Sequence, residues 1–272
     1  MRFGRFTGFE ATRHEPGIAL LQLDQPERLN GMTQALKRDL VETLLQAQMD
    51  DSVRVVVFTG SGRAPESSDR ERLSAPIPPG HDTEIGTYEG LRALSQPLNL
   101  AVRGLDKLSI AALNGVAIQT GFSLALACDF RIAAESARLG SATLRFGLLP
   151  DEGGQYLLVQ HLGVARALDF LMHKRIVSAA EAHALGLVHE VVPDGRLLGR
   201  ALELARELAE GPQVAMRLLK RSLYNAAQLS FELACDEIAA KTAISDHHPD
   251  AREGVRAFQE KRAPRFNRWL EK

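Results

Sequence analysis

The chain has 272 residues, 45% hydrophobic and 25% charged, and its 33 Lys and Arg face 34 Asp and Glu for a formal net charge of -1. That composition excludes a disordered or fibrous chain, and the even charge leaves no global basic field of the kind nucleic-acid binders carry. No apolar run reaches the roughly 18 residues a membrane helix needs, and the start, MRFGRFTGFEATRHEPG, lacks the apolar centre of a signal peptide, so no membrane partner and a cytoplasmic location are expected.

Ile18 to Asp24 is short, apolar and bounded by Pro16-Gly17 and Pro26, which predicts a strand. Thr33 then caps a predicted helix to about Gln48, with Leu36, Leu40, Val41, Leu44 and Leu45 on its buried face. Val53 to Thr59 has the β-branched density of a buried parallel strand, and its place after a helix makes a βαβ crossover. From Gly60 to Thr87 periodicity vanishes among Gly, Pro, Ser and charged residues, which predicts a long loop of the functional kind.

A helix from about Tyr88 to Leu105 is expected to lead into a strand, Leu108 to Leu113, that stops at Asn114-Gly115. Gly121 opens an apolar helix to about Cys128, short strands follow around Phe130 to Ala133 and Ala137 to Gly140, and the turn at Gly147 to Gly154 starts another helix. After a strand at Val188 to Val192 almost everything is helix-forming. The chain therefore divides into an α/β core, 1–196, and a helical C-terminal extension, 197–272. Cys128 and Cys235 lie far apart in apolar helical contexts without metal-ligand spacing, so both are expected to be buried free thiols.

Backbone donors are the first chemical feature. A helix opening near Gly121 presents free N–H groups and the positive end of its dipole, which suits an anionic oxygen. The N–H of Thr120 is the candidate donor, the alternative being that Asn114-Gly115 and Gly121 only make turns.

The runs NGVAIQTGFSLALACDFRIA, FGLLPDEGGQYLL, RIVSAAEAHALGLVHEVV and EGVRAFQEKRAPRF, with PERLNGM and VRVVVFTGSGRA before them, resemble successive motifs of the crotonase (enoyl-CoA hydratase/isomerase) superfamily, in the right order over nearly the whole chain. The resemblance implies a spiral of ββα units, an acyl-CoA thioester site without metal or redox cofactor, and a homotrimer or dimer of trimers meeting at the C-terminal helices. It also implies an oxyanion hole made by the N–H groups of Thr120 and Asp69. Here the second loop departs from the family pattern, with Pro65-Glu66-Ser67-Ser68 where an aromatic, small residues and a Gly are usual.

The two glutamates of the family's hydratases fall at Ser123 and Thr143. A hydroxyl can orient water or a substrate group, but it is far too weak an acid to act alone as a base near neutrality. The carboxylates left nearby are Asp151 and Glu152. Some family isomerases place a proton-shifting Asp at the position of Asp151, whereas the local alternative is a helix N-cap. Glu152 reads as a second candidate or as a solvated first-turn charge. By the same resemblance Arg28, Phe258 and Lys261 lie near the CoA head group, with a solvated surface charge as the alternative for Arg28 and Lys261. Asp129 is expected to be a structural hydrogen-bond acceptor, and His81 a solvent-facing loop residue.

The function these residues imply is double-bond isomerisation of an unsaturated acyl-CoA, with Asp151 as base and the enolate oxygen held on backbone N–H groups. The alternatives are a divergent hydratase, or an acyl-CoA hydrolase or lyase, in which Asp151 or Glu152 activates water, and a non-catalytic protein that binds CoA thioesters.

Overall fold

The large sheet owes its order to apolar strands buried on both faces. The computed structural model describes residues 1–26, 30–62 and 83–270. Among the described residues ten strands run in chain order: β1 (Gly4–Phe6), β2 (Phe9–His14), β3 (Ile18–Leu23), β4 (Val55–Gly60), β5 (Leu108–Leu113), β6 (Val116–Ile118), β7 (Phe130–Ala134), β8 (Arg138–Gly140), β9 (Ile176–Ser178) and β10 (Glu190–Val192). Seven form one sheet in the order β1-β2-β3-β4-β5-β7-β10, antiparallel through β3 and parallel thereafter, and β6-β8-β9 form a second. This is the expected mixed α/β architecture. The N-terminal hairpin β1-β2 was not expected, because FEATRH alternates with charges as an edge strand does.

Alternate residues of each central strand serve opposite cores. Ala19, Leu21, Val56, Phe58 and Ala111 pack with α1 (Gln34–Met49), α3 (Gln96–Gly104), α4 (Thr120–Ala127) and α5 (Gly154–Met172). Ile18, Leu20, Val55, Val57, Ile110 and Ala112 face the other way, onto Leu197, Ala201, Ala205 and Ala209 of α7 (Leu197–Glu210). Those four recur every fourth residue, and three are alanines, so the helix lies close against the sheet. Although α7 belongs by sequence to the extension, it packs as a layer of the core.

Thr33 caps α1 as expected, its hydroxyl accepting from Leu36 N at 3.2 Å. Leu45, expected on the buried face, is exposed, and Lys37, Thr43 and Ala47 are buried instead, because the inward stripe runs through Leu36, Leu40 and Leu44. The helix expected from Tyr88 starts earlier: Thr83 caps α2 (Glu84–Gly90), which continues through a π-helical turn, Leu91–Ser95, into α3.

Beyond α6 (Ala179–Ala184) and α7, α8 (Gln213–Ala226) is tied to the core through polar groups. Asp129 Oδ2 accepts from Ser109 N at 2.7 Å and from Lys220 Nζ of α8 at 2.8 Å, while its Oδ1 accepts from Tyr224 of α8. The neighbouring Cys128 is sealed in, and burial pushes its thiol up to about 12. α9 (Phe231–His247) has no buried residue; Phe231 is 80% exposed, and Leu233, Ile238 and Ile244 are exposed with it. Cys235 on that helix is exposed rather than buried, since none of the described residues covers the apolar residues around it. His248 then caps α10 (Pro249–Gln259), accepting from Asp250 N at 3.2 Å. Among the described residues no helix is long and apolar enough to cross a membrane.

Candidate active site at the first turn of α4

Two asparagines hold the end of β4, Asn114 from the end of β5 and Asn30 from the segment after β3. Asn114 Nδ2 donates to Gly60 O at 2.9 Å and Gly62 O at 2.7 Å, and Asn30 Nδ2 donates to Ser61 O at 3.0 Å. A Cβ at Gly60 would stand 2.9 Å from Asn30 Nδ2 and 3.1 Å from Asn114 Oδ1, so any larger residue there would push both clamps out of place. Asn114, expected as a turn residue, also registers the end of β5 against the end of β4. Asp69, Arg28 and His81 themselves lie outside the described residues.

Helix α4 begins at Thr120, one residue before the expected Gly121. Its N-cap is Gln119 at φ 51° and ψ -115°, a conformation an L-residue holds only when its surroundings impose it. The restraints are visible. Gln119 N donates to Gly140 O at 3.3 Å, and Ser141 Oγ donates to Gln119 Oε1 at 3.1 Å. Ser123 N closes the first turn on Gln119 O at 2.9 Å, so the amides of Thr120, Gly121 and Phe122 are the first-turn donors that helix geometry leaves without an intrahelical acceptor.

At the other end of α4, Arg131 Nη1 donates to Cys128 O at 2.6 Å, and His161 Nε2 meets Leu126 O at 3.1 Å. Burial first, and then the Arg131 cation, pull His161 down to about 4; the same two causes lower His189, whose Nδ1 accepts from Arg131 N at 3.1 Å. In the unfolded chain a histidine titrates near 6.5, so between about 6.5 and 4 the unfolded state takes up protons that the folded state refuses. Stability is therefore expected to fall as pH drops through that window. Urea unfolding at pH 5 should give roughly 2 kcal/mol less than at pH 7 from His161 alone, and His161→Gln should remove that share of the loss.

Ser123 and Thr143 are both buried. Ser123 lies against the start of α5, where a Cβ on Gly154 would overlap its Oγ and stand 3.3 Å from its Cβ. Thr143 Oγ1 lies 3.3 Å from Ser141 Oγ, so a chain of polar side chains runs from Thr143 through Ser141 to Gln119, the residue before Thr120. Neither position offers a carboxylate.

The turn with Asp151 and Glu152 differs from its local reading. The N-cap of α5 is Gly153 at φ 88°, with no side-chain cap bond, so Asp151 is not the helix cap. Asp151 is half-buried, and its carbonyl accepts from Gln96 Nε2 of α3 at 3.2 Å. Glu152 is not a solvated charge: it is 4% exposed, and its Oε1 pairs with Lys37 Nζ of α1 at 2.5 Å. Asn99 Nδ2 of α3 holds the Glu152 carbonyl at 2.7 Å. Because Gly154 touches Ser123, the Asp151 turn and the first turn of α4 share one neighbourhood.

Phe258 and Lys261 stand apart from this cluster in the single chain. Phe258 is 86% exposed near the end of α10, and Lys261 follows in solvent at φ 53°. Sequence reasoning missed Lys37, Asn30 and Gln119. For Lys37 a signal existed, because the lysine sits inside the Leu36, Leu40, Leu44 stripe of α1; the conformation of Gln119 has no local signature.

A profile of the enoyl-CoA hydratase/isomerase family matches residues 13–269. The 1,2-epoxyphenylacetyl-CoA isomerase of Escherichia coli (strain K12) is 35% identical over 252 residues, covering 93% of this chain and 95% of that one. A probable enoyl-CoA hydratase of Rhodobacter capsulatus is 35% identical over 262 residues, covering 92% and 94%. The crystal structure of an enoyl-CoA hydratase from Bacillus anthracis superposes with a TM-score of 0.86 at 31% identity, over 95% of this chain and 98% of the other. With the family profile matching residues 13–269 and the described strands and helices superposing on a relative of known structure, the chain belongs to the enoyl-CoA hydratase/isomerase family of the crotonase superfamily.

Proposed function

We propose that this enzyme moves a double bond within an unsaturated acyl-CoA. Asp151 removes an allylic proton, the thioester oxygen takes the negative charge of the resulting dienolate, and the same carboxyl returns the proton at another carbon. The Thr120 amide at the N-terminus of α4, joined by the Asp69 amide, holds that oxygen; one such donor contributes about 3 to 4 kcal/mol of transition-state stabilisation. CoA enters as part of the substrate, and no separate cofactor is required. The observation that carries the reading is the carboxylate inventory: Ser123 and Thr143 are buried hydroxyls, while Asp151 stands on a turn that touches the first turn of α4 through Gly154. The E. coli relative's name, an isomerase of a CoA thioester, agrees with it.

A hydratase, hydrolase or lyase reading is favoured by the relatives named as hydratases. In that case water activation falls to Asp151, since Glu152 is already engaged by Lys37. Incubating the protein with a panel of 3-enoyl- and 2-enoyl-CoA esters in doubly labelled water, deuterium and heavy oxygen, separates the readings. Isomerisation is expected to place no heavy oxygen in the product, and deuterium on carbon only as far as the Asp151 carboxyl exchanges its proton with solvent before returning it; heavy oxygen in the product sinks the isomerase reading. Binding without turnover across the panel moves the protein to the non-catalytic class. The exposed apolar side chains of α9 also support self-association through the C-terminal helices, as a trimer or a dimer of trimers.

A further inference from the structure

The Lys37 and Glu152 side chains are 8% and 4% exposed, and they belong to elements 115 residues apart. Desolvating two charges is costly, and two apolar side chains of the same volume commonly hold a core at least as well. Stability alone therefore does not explain an ion pair here, with Glu152 Oε2 lacking a hydrogen-bond partner among the described residues. Its place does suggest a reason, since Glu152 is the residue next to Asp151.

The turn between Gly147 (φ 70°) and Gly153 (φ 88°) has a glycine at each end in the left-handed region, and its Leu148 and Leu149 are exposed rather than packed. Apolar burial does little to fix it. What fixes it is polar: Lys37 on the Glu152 carboxylate, Asn99 on the Glu152 carbonyl and Gln96 on the Asp151 carbonyl. Lys37 Nζ also reaches Ser95 Oγ at 3.3 Å, in the π-helical turn where α2 becomes α3. Ser95, Gln96 and Asn99 are spaced to share one helix face, and π turns recur where a helix must offer a particular face to a functional site.

We infer that Lys37 and Glu152 form a positioning pair: by locking the residue after Asp151 onto α1 and the π turn, they hold the Asp151 carboxylate at its working distance from the first turn of α4. The inference rests on the reading of Asp151 as the base. Neither residue touches substrate, so their loss should appear in turnover and not in binding.

The test measures kcat, KM and thermal midpoint for Lys37→Met, Glu152→Gln, the double variant Lys37→Met/Glu152→Leu, and Asp151→Asn in parallel. The probes are trans-3-hexenoyl-CoA and 4-phenyl-3-butenoyl-CoA, followed by formation of the conjugated thioester. Misplacing a reacting group by about 1 Å can cost about 10²-fold, so Lys37→Met and Glu152→Gln are each expected to lower kcat about 10- to 100-fold with KM within about threefold of wild type. The apolar double variant should melt at or above the wild-type temperature and keep the kcat deficit, a split that a purely structural pair would not give. Glu152→Gln is isosteric and serves if Lys37→Met fails to fold. Wild-type kcat in Glu152→Gln, or in the double variant, overturns the positioning role while an inactive Asp151→Asn leaves the base reading standing. Full activity of Asp151→Asn, or no turnover of either probe by the wild type, overturns the base reading and the pair's role with it.

Discussion

Replacing Asp151 by asparagine is expected to lower double-bond migration by about 10²- to 10⁴-fold, the share general-base catalysis commonly supplies. Affinity for a CoA thioester, measured calorimetrically, should change no more than about threefold, because the amide keeps the size and hydrogen-bonding reach of the acid. The structure sharpens this experiment. Had Asp151 capped α5, its loss would have cost about 1 kcal/mol or more of stability and confused the reading. Gly153 holds the cap position without a side-chain bond, so loss of a helix cap does not enter the result. A residual activity near wild type would remove Asp151 from the chemistry. A lowered melting temperature would assign it a structural role instead.

What could be read from the sequence, and what could not, follows the range of the interactions involved. Strands β3, β4 and β5 were legible because burial on both faces leaves unbroken apolar runs, and Thr33 was legible because a cap is a local bond. The family motifs marked the Thr120 turn and the Asp151 turn as places of interest. Their geometry was not legible. Gln119 takes its conformation from Gly140 and Ser141, more than twenty residues away, and Glu152 looks like a first-turn charge until Lys37 is brought to it from α1. The π-helical turn is equally silent, since one inserted residue in a helix barely disturbs an apolar periodicity. Cys235 failed for a different reason: apolar spacing in α9 predicts a buried face, but none of the described residues buries it.

The same dependence on distant backbone makes Gly140→Ala a damaging small substitution. Gly140 pairs with Ile176 across the β8-β9 ladder, and an added Cβ would overlap the Arg175 carbonyl oxygen while standing 2.8 Å from Ile176 Cα and 3.0 Å from Arg175 C. All three are backbone atoms, so no rotamer change relieves the clash, and β8 and β9 must part. Overpacking of this kind typically costs about 1 to 3 kcal/mol and more where the neighbours cannot yield; about 3 kcal/mol is expected here. At about 2 to 4 °C per kcal/mol for a chain somewhat smaller than this one, the melting temperature should drop by roughly 6 to 12 °C. The displacement should also reach the site, because the carbonyl of Gly140 accepts the Gln119 N–H, and Gln119 sets the direction of the Thr120 amide. At a temperature where the variant remains folded, its turnover should therefore fall while Gly104→Ala, a helix-end glycine with nothing within 4 Å of an added Cβ, stays near wild type. A Gly140→Ala protein that melts with the wild type would mean that the two strands can separate without cost, and the rigid support argued for the Thr120 turn would fail.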